Sequence, residues 1–169
     1  QIGGFDERLS GYEDDDLFLP MFRAGWLNAF NPEATICYRR HFGSSAFSER
    51  MWLSREIFAE KLCDTYPDEP ELVRFYIRDI IGPRFYSRAR EEYWRHFPHR
   101  RWDLCMRSLD LMRHFSAMSK LSLRNRLRRS IGFSILARPA LFEHLYPILR
   151  LLIPLPRFVM RPRSSSSPE

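Results

Sequence analysis

The chain has 169 residues, of which 44% are hydrophobic and 15% aromatic, and its formal net charge is +6. This hydrophobic fraction excludes a disordered chain and predicts one domain, or one and a half. Three widely separated cysteines without a CxxC pair exclude a disulfide scaffold and indicate reduced thiols. The apolar C-terminal region is interrupted by charges and falls short of the roughly 18 apolar residues that a membrane span needs.

The N-terminal part combines acids with short apolar runs, although the rest of the chain is basic. Its six acids are Asp6, Glu7, Glu13, Asp14, Asp15 and Asp16. Acids stabilise the first turn of a helix, where backbone N–H groups are unpaired and the helix dipole is positive. Residues 12–25 therefore predict a helix that Gly25 ends, and Pro20 predicts a kink or a late helix start. The stretches LNAF (27–30) and ATICYR (35–40) predict two strands around an NPE turn.

From Ser48 onward, apolar residues recur at helical spacing almost to the end of the chain. The predicted helices run from the N-cap Ser48 to before Pro67, from Pro70 to a stop at Gly82-Pro83, over 85–97, over 102–118, and through Arg124, Arg126, Arg128 and Arg129. The chain starts without a methionine or a secretory signal, so we expect it to be a segment of a longer protein.

Two motifs at a specific spacing lie in the acidic segment. They are the loop Gly3-Gly4-Phe5-Asp6-Glu7 and the sequence Glu13-Asp14-x-Asp16-Leu17, which precedes a helix ending in Ala24-Gly25-Trp26. The combination resembles the C-terminal half of a family 2 glycosyltransferase of the GT-A type. The resemblance implies an α/β fold for residues 1–45, as the acceptor side of a GT-A domain. A mainly α-helical extension over 46–163 and a flexible tail over 164–169 would follow.

The resemblance implies an inverting reaction that transfers a sugar from a nucleotide-sugar donor to a hydroxyl group of a glycan, a lipid-linked molecule or another acceptor. A hydroxyl is a weak nucleophile until a positioned carboxylate removes its proton. By resemblance, Asp14 is this general base, and Glu13 contacts the acceptor or supports the base. Gly3, Gly4 and Asp6 are the substrate-binding residues that the resemblance assigns.

A divalent metal, Mn²⁺ or Mg²⁺, is the cofactor that the resemblance implies, because a metal meets the charge of the leaving nucleotide diphosphate. In the family it is bound mainly by the N-terminal, nucleotide-binding half, which this chain lacks. We therefore expect the isolated chain to be inactive. His41 lies near the position where the family often has a metal-binding histidine, and an ordinary solvated loop histidine is the other interpretation of this residue.

Two interpretations from other classes compete with sugar transfer. One is a non-catalytic helical module that docks on a membrane or a partner and keeps a vestigial motif. The other is an acidic loop that binds a cation without transfer chemistry. The arginines of 124–129 precede apolar residues as in an interfacial helix, which indicates an anionic membrane surface as a partner. Packing on the catalytic domain is the alternative explanation for this region.

The partners and location follow from these features. No nucleic-acid docking motif accompanies the arginines, so nucleic acid is not an expected partner. We expect a cytoplasmic protein, peripheral on the inner face of the cell membrane.

Overall fold

The computed structural model of the chain describes residues 4–29, 31–33 and 49–152, with side chains from residue 50 to residue 146 in the last range. Its α-helices are α1 (Glu13–Arg23), α2 (Glu49–Thr65), α3 (Gly82–His96), α4 (Trp102–Met118), α5 (Leu123–Leu136) and α6 (Pro139–Leu152). Shorter helical turns occupy Pro70–Leu72, Ile77–Ile81 and Phe97–His99. The chain divides into two compact units, Gln1–Pro67 and Asp68–Glu169.

The expected α/β fold is wrong, because the described residues are mainly α-helical and contain no strand or sheet. An isolated bridge joins Glu69 to Arg74. Residues 27–29 of the predicted LNAF strand are irregular, and the predicted ATICYR strand lies outside the described residues. Leu27 is 92% exposed, so no apolar surface is buried there. A β-forming segment needs paired neighbours and a buried face, and local preference supplies neither.

In the first unit, α1 begins at Glu13 and continues through Pro20, so the alternative of a late helix start is wrong. Leu9, Trp52, Phe58 and Ala59 are its buried apolar residues among those described. The last three lie on α2, which ends before Pro67 as expected. The expected N-cap Ser48 lies outside the described residues.

The second unit is built on the packing of α3 against α4. Its buried cluster is formed by Ala89, Tyr93, Phe97, Cys105, Leu109, Met112, Phe142 and Tyr146. The residues from α3 and α4 repeat every three or four positions, so each helix presents one apolar face, and the stripes predicted over 85–97 and 102–118 are confirmed. Helices α5 and α6 also pack on this cluster, through Phe133 and Leu136 from α5 and Phe142 from α6.

The expected helix from Pro70 to a stop at Gly82-Pro83 is wrong. Pro70 opens a single 3₁₀ turn, after which Val73 has a φ of 55°. Gly82 and Pro83 open α3 instead of ending a helix, since a proline in the first turn loses no helical hydrogen bond. A Cβ at Gly82 would lie 2.9 Å from the Ser119 hydroxyl and 3.2 Å from the Phe115 carbonyl oxygen. The glycine is therefore required by close packing against the end of α4.

Candidate functional site

The acids that surround the start of α1 fall into two groups that differ in exposure and in charge pairing. Asp6 and Asp16 are largely buried and bound to cations, whereas Glu13, Asp14 and Asp15 are exposed. All of them belong to the first unit, so this unit alone fixes their arrangement. The difference between the groups determines which carboxylates are available to a substrate.

Asp6 is held in a turn by the residue two positions later. Arg8 donates from Nε to Oδ1 at 2.9 Å and from Nη2 to Oδ2 at 2.7 Å, a two-pronged ion pair. The backbone N–H of Arg8 also donates to Oδ1, at 3.1 Å. These hydrogen bonds from Arg8 hold the pKa of Asp6 well below its usual range. The Asp6 carboxylate is thus fixed by protein groups, and its predicted contact with substrate stays a prediction.

Lys61 of α2 connects the Asp6 loop to α1. Its Nζ atom donates to Oδ2 of Asp16 at 2.7 Å and to Oδ2 of Asp6 at 3.3 Å. The Asp16 side chain is only 7% exposed, and that of Lys61 is 40% exposed. The hydrogen bond to Asp16 raises the pKa of Lys61. Asp16 is therefore an internal ion-pair partner, and it also lies in the first turn of α1.

Tyr12 precedes α1 in a left-handed conformation, with a φ of 66°. This conformation is costly for a residue with a Cβ and persists only where surrounding contacts hold it. Here the Tyr12 ring stacks on Phe58 with 5.1 Å between ring centroids, and its hydroxyl accepts from Arg55 Nε at 3.2 Å. Gly11 is buried against Met51, whose sulfur would collide with any Cβ added there. These contacts with α2 fix the position at which α1 begins.

Asp14 is exposed in the first turn of α1, and its Oδ1 atom accepts from the Asp15 backbone N–H at 2.9 Å. No cationic side chain in the described part of the chain pairs with Asp14. Glu13, the first residue of the helix, is exposed as well. The helix has no side-chain cap, so acids supply the negative charge that its N-terminus favours. The structure therefore brings Glu13 and Asp14 together on solvent-accessible surface.

The other predicted site residues are only partly described. Gly4 is exposed with a φ of 79°, a conformation that favours glycine. Gly3 and His41 lie outside the described residues. Within the described ranges, no three His, Cys, Asp or Glu side chains are grouped so that they could hold a metal ion. The described acids thus do not form a metal site by themselves, and the metal expected by resemblance stays a prediction.

Sequence reasoning missed Lys61, Tyr12 and Arg55, the residues that organise the site. Lys61 follows Asp16 by 45 positions, and Arg55 follows Tyr12 by 43. The available signal was a lysine on the predicted α2 helix beside an unexplained cluster of acids. Pairing it with particular acids requires the packing of α2 against α1, which local sequence does not specify.

Comparison with protein-family models, with curated proteins and with solved structures found no match to this chain. The glycosyltransferase resemblance therefore rests on the two motifs of the acidic segment alone.

Proposed function

We propose that this chain supplies the acceptor side of an inverting glycosyltransferase, with Asp14 as the general base. The observation that carries the proposal is that the acids around α1 differ in exposure and in ion pairing. Lys61 and Arg8 neutralise Asp16 and Asp6, whereas Asp14 stays exposed and unpaired with any cation of the described residues. A carboxylate that must take a proton from a bound hydroxyl needs this accessibility.

The chemistry assigns one step to Asp14. Its Oδ1 atom already accepts the Asp15 N–H, which orients the carboxylate, and Oδ2 is the oxygen that takes the proton. The acceptor hydroxyl loses this proton as its oxygen bonds to the anomeric carbon of the donor sugar. The bond from that carbon to the nucleotide diphosphate breaks, and the diphosphate leaves with the electron pair. Glu13, adjacent and exposed, is placed to hydrogen-bond other hydroxyls of the acceptor.

The test is the Asp14→Asn variant, with its rate of sugar transfer compared with that of the unchanged protein. The amide keeps the shape and one acceptor oxygen of the carboxylate, so it can still accept the Asp15 N–H. It cannot take a proton near neutral pH, so the transfer rate should fall by about 10²- to 10⁴-fold. Donor affinity should hardly change, since the resemblance places the nucleotide in the other half of the domain.

Asp15→Asn is the matched control, because Asp15 is also exposed and lies about 100° further around the helix. It should keep near wild-type activity. Circular dichroism of both variants checks that α1 still forms. Full activity in both variants would contradict the proposal and favour the helical docking module with a vestigial motif. Loss of activity together with early unfolding in both would make the acids structural.

A further inference from the structure

Helix α5 (Leu123–Leu136) contains four arginines and no acidic residue. The Arg129 side chain is directed toward α3 and α4. Its Nη1 atom donates to Ser116 Oγ at 3.1 Å, and its guanidinium lies 3.7 Å from the centre of the Tyr86 ring. Arg124, Arg126 and Arg128 are exposed, and no carboxylate among the described residues pairs with them. One arginine thus attaches α5 to its unit, while three leave positive charge on the surface.

The same helix exposes a row of large apolar side chains, which we name the outer stripe. It consists of Leu123, Leu127, Ile131 and Ile135, which are 84%, 62%, 54% and 40% exposed. Residues four apart lie about 40° apart around a helix, so the stripe forms one continuous face. Phe133 and Leu136 lie on the opposite side and pack on the buried cluster. Single exposed leucines are ordinary, but an aligned row on one helix marks an interaction surface.

A basic pocket of about 610 Å³ adjoins α5. Its polar lining includes Arg113, Ser116, Arg126, Arg129, Ser130 and Ser134. Arg113 is bound to Asp110 at 2.9 Å and Arg129 to Ser116, which leaves Arg126 as the pocket arginine whose guanidinium has no ion pair or hydrogen bond to described residues. Ser130 and Ser134 lie one helical turn apart on the pocket side of the outer stripe. The Ser134 hydroxyl donates to the Ser130 carbonyl oxygen at 3.1 Å, so the donors left for a ligand are the Arg126 guanidinium and the Ser130 hydroxyl. Such donors suit a phosphate group.

We infer that α5 docks on an anionic phospholipid membrane, with the outer stripe in the headgroup–acyl boundary and the arginines among the phosphates. The occupant is argued from charge complementarity. The outer stripe lies beside three arginines without ion pairs, on a helix that contains no acid. This combination is the pattern of an interfacial helix. A lipid phosphate in the pocket would meet Arg126. No helix within the described residues is long and apolar enough to span the bilayer, and interfacial docking requires none. The inference is independent of the proposed sugar transfer.

The test is co-sedimentation of the 169-residue chain with vesicles. Vesicles of phosphatidylserine and phosphatidylcholine should bind the chain, whereas phosphatidylcholine alone should bind it at least tenfold more weakly, because each arginine near an anionic surface contributes about fivefold. Binding should drop sharply between about 0.1 M and about 1 M salt, as the screening length shrinks from about 10 Å to about 3 Å.

Two variants test the contributions of the arginines and of the outer stripe to binding separately, and each has a control variant. Arg124→Gln/Arg128→Gln should weaken binding by about 25-fold, from about fivefold for each arginine. Arg84→Gln/Arg88→Gln, an exposed pair of the same spacing on α3 in which Arg88 is paired with Glu91, should change it by less than about twofold.

Leu127→Ser should weaken binding by about tenfold, since burial of a leucine is lost. Leu72→Ser is its control, because Leu72 is 60% exposed, nearly as much as Leu127, but lies in the Pro70–Leu72 turn. Circular dichroism confirms that each variant is folded. Equal binding by Leu127→Ser and wild type, or equal binding to neutral and anionic vesicles, would overturn the inference. So would a concentration-dependent dimer that Leu127→Ser abolishes, because a second copy would then cover the stripe.

Discussion

The replacement Lys61→Met tests whether the first unit depends on neutralising Asp16. Methionine keeps most of the length of the lysine side chain but removes the cation, so Asp16 loses the only side chain among the described residues that bonds to it. Asp6 keeps its two-pronged pair with Arg8. Asp6 also loses its 3.3 Å hydrogen bond from Lys61 but keeps a cation, so Asp16 is the carboxylate left without one among the described residues.

The expected loss of unfolding free energy in the first unit lies between two limits. Breaking a fully buried ion pair costs about 3–5 kcal/mol, and breaking an exposed one costs about 0–1 kcal/mol. The Asp16 side chain is 7% exposed but that of Lys61 is 40% exposed, so water screens the lysine end of the pair. We expect the first unit to lose about 2 kcal/mol, which matches the usual worth of a hydrogen bond to a charged group, about 1.5–3 kcal/mol.

Hydrogen exchange of the α2 backbone measures this loss within the first unit. The double variant Lys61→Met/Asp16→Asn should recover more than half of it, because the unpaired charge is then gone as well. A Lys61→Met protein whose α2 exchange matches wild type would refute the reasoning and show that solvent already satisfies Asp16. Simple additivity of the two single changes would also refute it, since coupled groups are non-additive.

The dependence on pH has a definite sign for each partner. The pKa of Lys61 is raised above its ordinary value of 10.5, so the stability it contributes is complete below pH 10.5 and is lost as the pH rises beyond that. The pKa of Asp6 is lowered, so its contribution is present above 3.8 and is lost as the pH falls below that value. Lys61→Met should remove the part of the alkaline loss that Lys61 contributes and keep the acid loss, because Arg8 still holds Asp6.

Two further predictions concern the second unit. Gly82→Ala should destabilise the chain by about 1–3 kcal/mol in urea unfolding, because the new Cβ meets the Ser119 hydroxyl and the carbonyl oxygens of Ile77 and Phe115. Gly132→Ala, in open space on α5, should instead stabilise it by about 0.5–1 kcal/mol, and equal effects at both sites would contradict the packing argument. Burial raises the pKa of the Cys105 thiol to about 12. Iodoacetamide at neutral pH should therefore label the partly exposed Cys63 of the native chain and spare Cys105, with both labelled after denaturation.

The sequence specified the features that depend on local pattern. The apolar spacing predicted α4 with both of its ends, and the acids before Leu17 predicted the start of α1 within a residue. It failed where distant contacts decide the outcome. Gly82 resembles a helix stop in sequence, but it lies in the first turn of α3, and the close approach of Ser119 and Phe115 is what requires a glycine there. Residues 27–29 of LNAF pair with no strand among the described residues, so their intrinsic β preference is not expressed there.

In the candidate site, too, the features set by local pattern could be predicted and those set by distant contacts could not. That acids begin α1 could be read from the sequence, but which of them would be neutralised could not, because Lys61 approaches from 45 positions away. The left-handed conformation of Tyr12 could not be predicted from the sequence either, because Phe58 and Arg55 of α2 hold it.

The spacing of the motif gives a physical reason for two unlike acids in one short segment. Residues two apart on a helix point about 200° apart, so Asp14 and Asp16 cannot share a face of α1. If one is buried against α2, the other must face solvent. Lys61 pairs with Asp16 and so reduces the free-energy cost of burying its charge. The same helix exposes Asp14 at its N-terminus, where a negative charge is favoured. An acid-x-acid pattern at a helix start can thus combine a buried, paired carboxylate with an exposed one on the opposite side of the helix.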